Sequence, residues 1–407
     1  MRILFSFFSL CLLFLSLSAK SDVVEESARY LSHDKLWGRK AGTLGNRQAR
    51  EYLITQLHKL GVRPAGEEGF EQRFNKGSNL LGIILPKGMT SLSEKPRVLI
   101  GAHYDHVDHC KKTSLARSRI CNGAADNAAA VAAILGAIKH IQENSQYPVA
   151  IALWDAEEKG LLGSRYFVKN PTFDLAGLKL YINLDIIGLN LFRGFEDHSF
   201  VLGAESGGIG LKQHVTEASR ESGIKFHQLS YGLGHYRSDM TSFVLGGVEI
   251  PTVFFTDGDG KVYHSSADEF ENLNLAKVQG ISKTIGKLAV ISSQEKEKYE
   301  FHPPLIRLSN RTIGGRLSGV FLGFRNGVVL PLYEDLDPLI ELFHEVESLA
   351  TLNAFSPKTL SQLPGKRERL ISIRENGEIY FGKGEGIYVG RYVQYLLGLS
   401  RENSFIP

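Results

Sequence analysis

Val98 to His106 reads VLIGAHYDH, and this stretch decides the fold class. From Pro96 onward it is a strongly apolar run, the composition of a strand buried on both faces. It ends abruptly on His103, Tyr104 and Asp105. The same design recurs downstream. Val149–Trp154 runs into Asp155, Glu157 and Glu158; Leu178–Leu184 runs into Asp185; Pro251–Phe255 precedes a loop that carries His264. Helical patterns lie between these runs: an alanine-rich stretch over Asp126–Glu143, a short one over Gly160–Val168, another over Leu211–Ser222, and a closing Leu273–Ser292. Buried strands alternating with helices predict an α/β domain, a mostly parallel central sheet flanked by helices. In such sheets ligands gather beyond the carboxyl ends of the strands. His103, the Glu157–Glu158 pair and Asp185 all fall there.

Upstream, Ser21–Leu60 reads as helical, with Ala49, Leu53, Leu57 and Leu60 at helical spacing and Gly61 as the stop. Phe70–Leu85 reads as paired extended segments. Met1–Arg2 is basic, Ile3–Leu17 is apolar, and Ser16–Ala19 offers small residues for cleavage. That is the form of a signal peptide. An uncleaved anchor is the competing reading, but the run is short for a span of ~20 residues. The expectation is export to the periplasm or the exterior, with no stable membrane association after cleavage. Cys11 leaves with the signal, and an even pair, Cys110 and Cys121, then predicts a disulfide.

After Gln294 the style changes. Glu295–Glu300 is charged and His302-Pro303-Pro304 resembles a linker. Beyond it, Asp337–Pro338 heads a helical pattern at Leu339–Leu349, and Asn376–Gly377 between Leu370–Ile373 and Glu378–Phe381 signals a hairpin. The expected organisation is a signal at 1–19, a catalytic domain at 20–294 and a small α+β appendage at 295–407. A formal net charge of +3 with no polybasic run gives no reason to expect nucleic acid or an acidic membrane surface as partner.

His103, Asp126, Glu158, Asp185 and His264 together make a ligand set for two zinc ions, with Glu157 left over as a proton carrier. Such a site needs imidazoles, oxygen ligands and a carboxylate placed between the metals. A free carboxylate nearby takes the proton of the activated water and returns it to the leaving group. Any one of these residues alone would be an ordinary structural polar group; five ordered motifs favour the metal. His106 and His109 read as solvated loop histidines rather than a third metal site with Cys110 and Cys121. Asp155 reads as a structural strand-end carboxylate. Tyr231, Tyr236 and Arg237 either line a substrate pocket or lie in a surface loop.

The motifs resemble those of the co-catalytic di-zinc aminopeptidases, the secreted bacterial leucine-type and vacuolar aminopeptidases, which share a superfamily with the glutaminyl cyclases. His103–Tyr104–Asp105, Asn122–Asn127, Ala156–Ser164, Asn183–Gly188 and Tyr263–Asp268 match five family motifs in family order. The resemblance covers roughly Ser21–Gln294. It implies that Asp126 bridges the metals, that Glu158 and His264 complete one site, and that His103 and Asp185 complete the other. It implies Glu157 as general base and acid, Asp105 as the carboxylate orienting His103, and a cis peptide at Asp126–Asn127. Ala125, Met240 and Ser266 depart from the family pattern without removing a ligand. The expected activity is a zinc exopeptidase acting on peptides with a free N-terminus. A glutaminyl-peptide cyclotransferase of the same fold, a carboxypeptidase and a non-catalytic peptide-binding protein are the alternatives.

Overall fold

Residues 22–302 are described by the computed structural model, apart from 93, 111–118, 191–194, 230, 232–237 and 259–261. The backbones of 307–308, 328–331 and 378–380 are described as well. The N-terminal part holds α1 (Val23–Leu31), α2 (Leu44–Lys59), β1 (Arg63–Pro64), β2 (Glu71–Phe74), β3 (Gly77–Ile84) and β4 (Val98–His103). Then follow α3 (Ala129–Asn144), β5 (Val149–Trp154), α4 (Leu162–Lys169), β6 (Leu180–Leu184) and β7 (His198–Leu202). The main unit closes with α5 (Gly208–Ser219), β8 (Lys225–Leu229), α6 (Met240–Leu245), β9 (Thr252–Thr256) and α7 (Leu275–Gln294).

Every residue of β4, β5, β6 and β9 is buried, which explains their mostly apolar sequence. They form the centre of one sheet with the order β1-β3-β5-β4-β6-β9-β7-β8, and β2 pairs with β3. The pairs β5–β4, β4–β6 and β6–β9 are parallel. The margins are not: β3 runs antiparallel to β5, and β7 antiparallel to β9. The sheet is therefore mixed around a parallel centre. The antiparallel β2–β3 pair follows from its tight turn, with Phe74 opposite Gly77.

Helices cover the sheet. α3 packs on α7 and α1 through small residues: a Cβ at Gly136 would stand 2.5 Å from Val24 Cγ2 and 2.6 Å from Ser282 Oγ. Ser282 Oγ donates to the Ala133 carbonyl at 2.8 Å. The long helix expected from Asp126 starts instead at Ala129. Asp126 (φ −114°, ψ 85°) and Asn127 (φ −139°, ψ 33°) are non-helical, and the Asp268 carboxylate accepts the N–H groups of Ala125 and Asp126 at 2.7 and 3.1 Å, which fixes the loop ahead of the helix. The helical pattern expected upstream is carried by α1 and α2, with a turn over Asp34–Arg39 between them.

Downstream of α7, β10 (Arg307–Leu308), β11 (Val328–Pro331) and β12 (Glu378–Tyr380) pair antiparallel in a second sheet. The expected signal peptide, the helix at 339–349 and the segment 370–373 lie outside the described residues. Among the described residues no helix is long and apolar enough to cross a membrane.

Candidate metal centre

Each buried parallel strand delivers a polar side chain at its carboxyl end. His103 is the last residue of β4, and Asp185 follows β6 directly. Their side chains meet, with His103 Nε2 3.2 Å from Asp185 Oδ1. β5 leads into Glu157 and Glu158 through Ala156, whose φ of 57° turns the chain sharply. Asp155 anchors that turn: its carboxylate accepts from the N–H groups of Ser78 (2.8 Å) and Ala156 (2.9 Å) and from the Asn46 amide (2.9 Å). This is the structural role expected of it. His264 arrives from the loop after β9 with φ 48°.

Asp126 stands at the middle. One oxygen, Oδ1, lies 3.3 Å from His103 Nε2, and the other, Oδ2, lies 3.2 Å from His264 Nε2. The Asp126–Asn127 peptide is cis, as the resemblance implies. His264 Nε2 is also 2.9 Å from Glu158 Oε1. Two groups of candidate ligand atoms result, each within 4.8 Å: His106, Asp126, Glu158 and His264, and next to them His103, Glu157 and Asp185. The five residues expected as ligands thus come together, and the structure adds His106.

The reading of His106 as a solvated loop histidine is overturned. The ring is completely buried. Arg39 donates to the Tyr104 carbonyl as the chain leaves β4, and the His106 ring rests on Gly123, where a Cβ would stand 2.6 Å from His106 Cγ. His109, by contrast, is exposed, and Cys110 and Cys121 are joined in the expected disulfide with Cα atoms 5.4 Å apart.

Arg39 is a residue the sequence reading missed. Its buried guanidinium donates to the carbonyls of Tyr104 (2.9 Å), Asn122 (2.6 Å), Gly123 (3.1 Å) and Leu31. One side chain therefore ties the exit of β4 to the loop before Asp126. Nothing in the segment WGRKAG marks this, since its partners are backbone carbonyls, three of them 65 to 84 residues along the chain. Burial lowers the guanidinium to about 10, against the pull of Asp268 and Asp126.

The electrostatics are those of a crowded anionic pocket. Burial pushes the Glu157 carboxyl well above the usual carboxylate range, against the attraction of His103 and with the help of Glu158 and Asp185. Burial and Asp126 act to raise Glu158, yet contacts with the imidazoles of His106 and His264 bring it to about 2. Burial disfavours charge on His264, and Asp126 and Glu158 overcome this, raising it to about 10. The Asp105 carboxylate accepts the Glu157 N–H at 2.9 Å, and the Asp105 carbonyl lies 3.1 Å from His103 Nδ1. Asp239, ahead of α6, is buried and its carboxyl is pushed up to about 7 by that burial. Tyr231 is buried; Tyr236 and Arg237 lie outside the described residues.

Imidazoles and carboxylates converging without enough protons or donors to satisfy them fit a divalent cation. Both ring nitrogens of His106 and one oxygen of Asp105 lack a hydrogen-bond partner among the described residues. An orphaned buried group of that kind is costly unless something else binds it.

The chain is 28% identical over 186 residues to LpqL, a probable lipoprotein aminopeptidase of Mycobacterium tuberculosis; the match covers 43% of this chain and 34% of that protein. The chain thus spans about a third of that relative's length. The Legionella pneumophila LapA aminopeptidase has a similar fold, with a TM-score of 0.52 and 17% identity over 68% of this chain and 71% of that one. The glutaminyl cyclase of Porphyromonas gingivalis is alike to the same degree, with a TM-score of 0.51 and 16% identity over 66% of this chain and 96% of that one. The fold is that of the zinc exopeptidases. The model of peptidase family M28 matches residues 79–289, a span that contains the three strand-end motifs, the Asp126 loop and the His264 loop, and by that match the chain belongs to peptidase family M28.

Proposed function

We propose that the chain is an exported zinc aminopeptidase that removes N-terminal residues from peptides. His103, Asp126, Glu158, Asp185 and His264 would hold two zinc ions, with Asp126 shared. The observation that carries this reading is the position of Asp126, whose two oxygens face imidazoles on opposite sides. Bound zinc supplies a water acidified to a pKa near 7 and a polarised carbonyl.

The chain's own residues do the rest. Glu157 accepts the proton of the attacking water at its carboxylate and passes it to the leaving amine. A carboxyl raised by burial suits a group that must hold a proton between those two events. Asp105 fixes the backbone at Glu157 by accepting its N–H, and holds the His103 ring through the carbonyl contact. The carboxyls of Glu157 and Asp239, which burial pushes up, ionise more readily beside a substrate that brings its own positive charge, the α-ammonium of a free N-terminus. Export rests on the form of Met1–Ala19.

Aminoacyl amides, their N-acetyl forms and glutaminyl peptides, each with and without chelator, test the reading. Hydrolysis of free aminoacyl amides, lost on acetylation and on chelation and restored by zinc, is the expected result. Cyclisation of N-terminal glutamine without hydrolysis would transfer the chain to the cyclase activity. Cleavage of blocked peptides at their C-terminal residue would remove the aminopeptidase reading and leave the metal chemistry.

A further inference from the structure

Three imidazoles, not two, converge on the candidate centre. His106 follows His103 by three residues, and the two rings reach Asp126 from the same strand exit: His103 Nε2 is 3.3 Å and His106 Nδ1 3.7 Å from Asp126 Oδ1. Only His106 reaches further, with Nδ1 2.9 Å from Glu158 Oε1. Its ring stands edge to face with that of His264, centroids 5.4 Å apart. The contact with Glu158 does not have the direction of a hydrogen bond, and neither ring nitrogen has any other partner among the described residues. A fully buried imidazole with both nitrogens unmatched lacks an electron-pair acceptor, and a cation among these oxygens supplies one.

We infer that His106 is a direct ligand of the ion held by Asp126, Glu158 and His264, so that this ion has two imidazoles and two carboxylates while its neighbour has one imidazole, from His103. The inference rests on the two-zinc reading above and deepens it by making the sites unequal. Four protein ligands are the number of a closed, firmly held zinc site, whereas three leave a position open. The group around His103 is the one that includes Glu157, the proposed proton carrier. The His106 ion is therefore the firmly held one, and the His103 ion the one that exchanges and meets water.

The number of imidazoles per zinc decides the matter, because it differs between the two assignments at every loading. Without His106 each ion has one imidazole, so the average is one at one equivalent and at two. With His106 the average is two at one equivalent and one and a half at two. X-ray absorption at the zinc edge, on the full chain stripped and reloaded with one and then two equivalents of zinc, reads this number directly. In His106→Gln the average should fall to one at both loadings, and affinity for the first zinc should drop at least tenfold in competition with a chromogenic chelator. Loss of affinity alone would not establish a bond, since a residue that merely orients a ligand also costs 10- to 100-fold. An average of one imidazole in the unaltered protein overturns the inference, whether or not the variant folds. If that protein still binds two zinc ions and hydrolyses aminoacyl amides, the proposed function stands without it. If it binds no zinc, both fall.

Discussion

Glu157 and Glu158 are adjacent in sequence and opposite in surroundings. Glu157 is grouped with His103 and Asp185, while Glu158 contacts His106 and His264. Glu157→Gln should keep zinc and lose 10²–10⁴-fold in kcat, since an amide cannot take the proton. Glu158→Gln should instead release zinc to a chelator that leaves the unaltered protein loaded. Zinc content and kcat measured on both variants check the pair, and a reversed pattern would exchange the two roles. Arg39 acts by shape as well as charge. Lysine at this position cannot fork to four carbonyls. Each carbonyl left without a donor costs about 1–3 kcal/mol, so Arg39→Lys should lose roughly 2–5 kcal/mol of unfolding free energy. Denaturant unfolding of the two proteins reads the difference; a loss under 1 kcal/mol would mean that water or the lysine replaces the fork.

At the scale of elements, the edge pair β7–β8 carries a histidine pair that sequence patterning does not reveal. His198 Nδ1 lies 2.9 Å from His227 Nε2, and the His227 ring stacks on Phe195, interplanar angle 7°. Burial, with His198 and Lys225 adding to it, takes His227 from its ordinary 6.5 down to about 3. Between those two values the unfolded chain binds a proton that the folded chain does not. Stability therefore falls as pH drops through this window, by up to about 1.4 kcal/mol per pH unit for one proton. His227→Phe keeps the stacking surface and removes the titration. Urea unfolding of the zinc-free proteins at pH 7, 6 and 5 should give a shallower loss for the variant; parallel losses would assign the acid sensitivity to other groups. The sequence reading leaves both β8 and α6 unassigned. β8 reads KFHQL, with only its third and fifth residues buried, and lacks the apolar run that marks the central strands.

For the molecule as a whole, the candidate centre joins the ends of three parallel strands to loops before α3 and after β9. Ions bound there act on the native state alone and stabilise it by mass action, about 4 kcal/mol for an ion at 1,000 times its dissociation constant. Removing them also leaves the buried carboxylates of Asp126 and Asp185 and the half-buried ones of Glu157 and Glu158 crowded together. Chelation followed by buffer exchange should lower the unfolding temperature by on the order of 10 °C, and zinc should restore it. Calorimetry of the stripped and reloaded protein measures the shift. An unchanged unfolding temperature would show that the pocket is held by its hydrogen bonds and not by metal.

What the sequence by itself determined follows from local pattern. Val98–Ala102, Val149–Trp154 and Leu180–Leu184 are apolar but for Asn183, because parallel central strands are covered on both faces, and the carboxylates and histidine that follow them mark the carboxyl edge of the sheet. The α/β class and the position of the candidate centre were legible for that reason. What only the tertiary structure decided involves partners distant in sequence or backbone atoms without side-chain signal. The exit of β4 is held by Arg39 from 65 residues upstream. The loop that carries Asp126 is fixed by Asp268 from 142 residues downstream. The antiparallel margins of the sheet are set by turns and pairing rather than by composition. His106 reads like the exposed His109 three residues later; burial separates them, because one meets the space left by Gly123 and the other meets solvent.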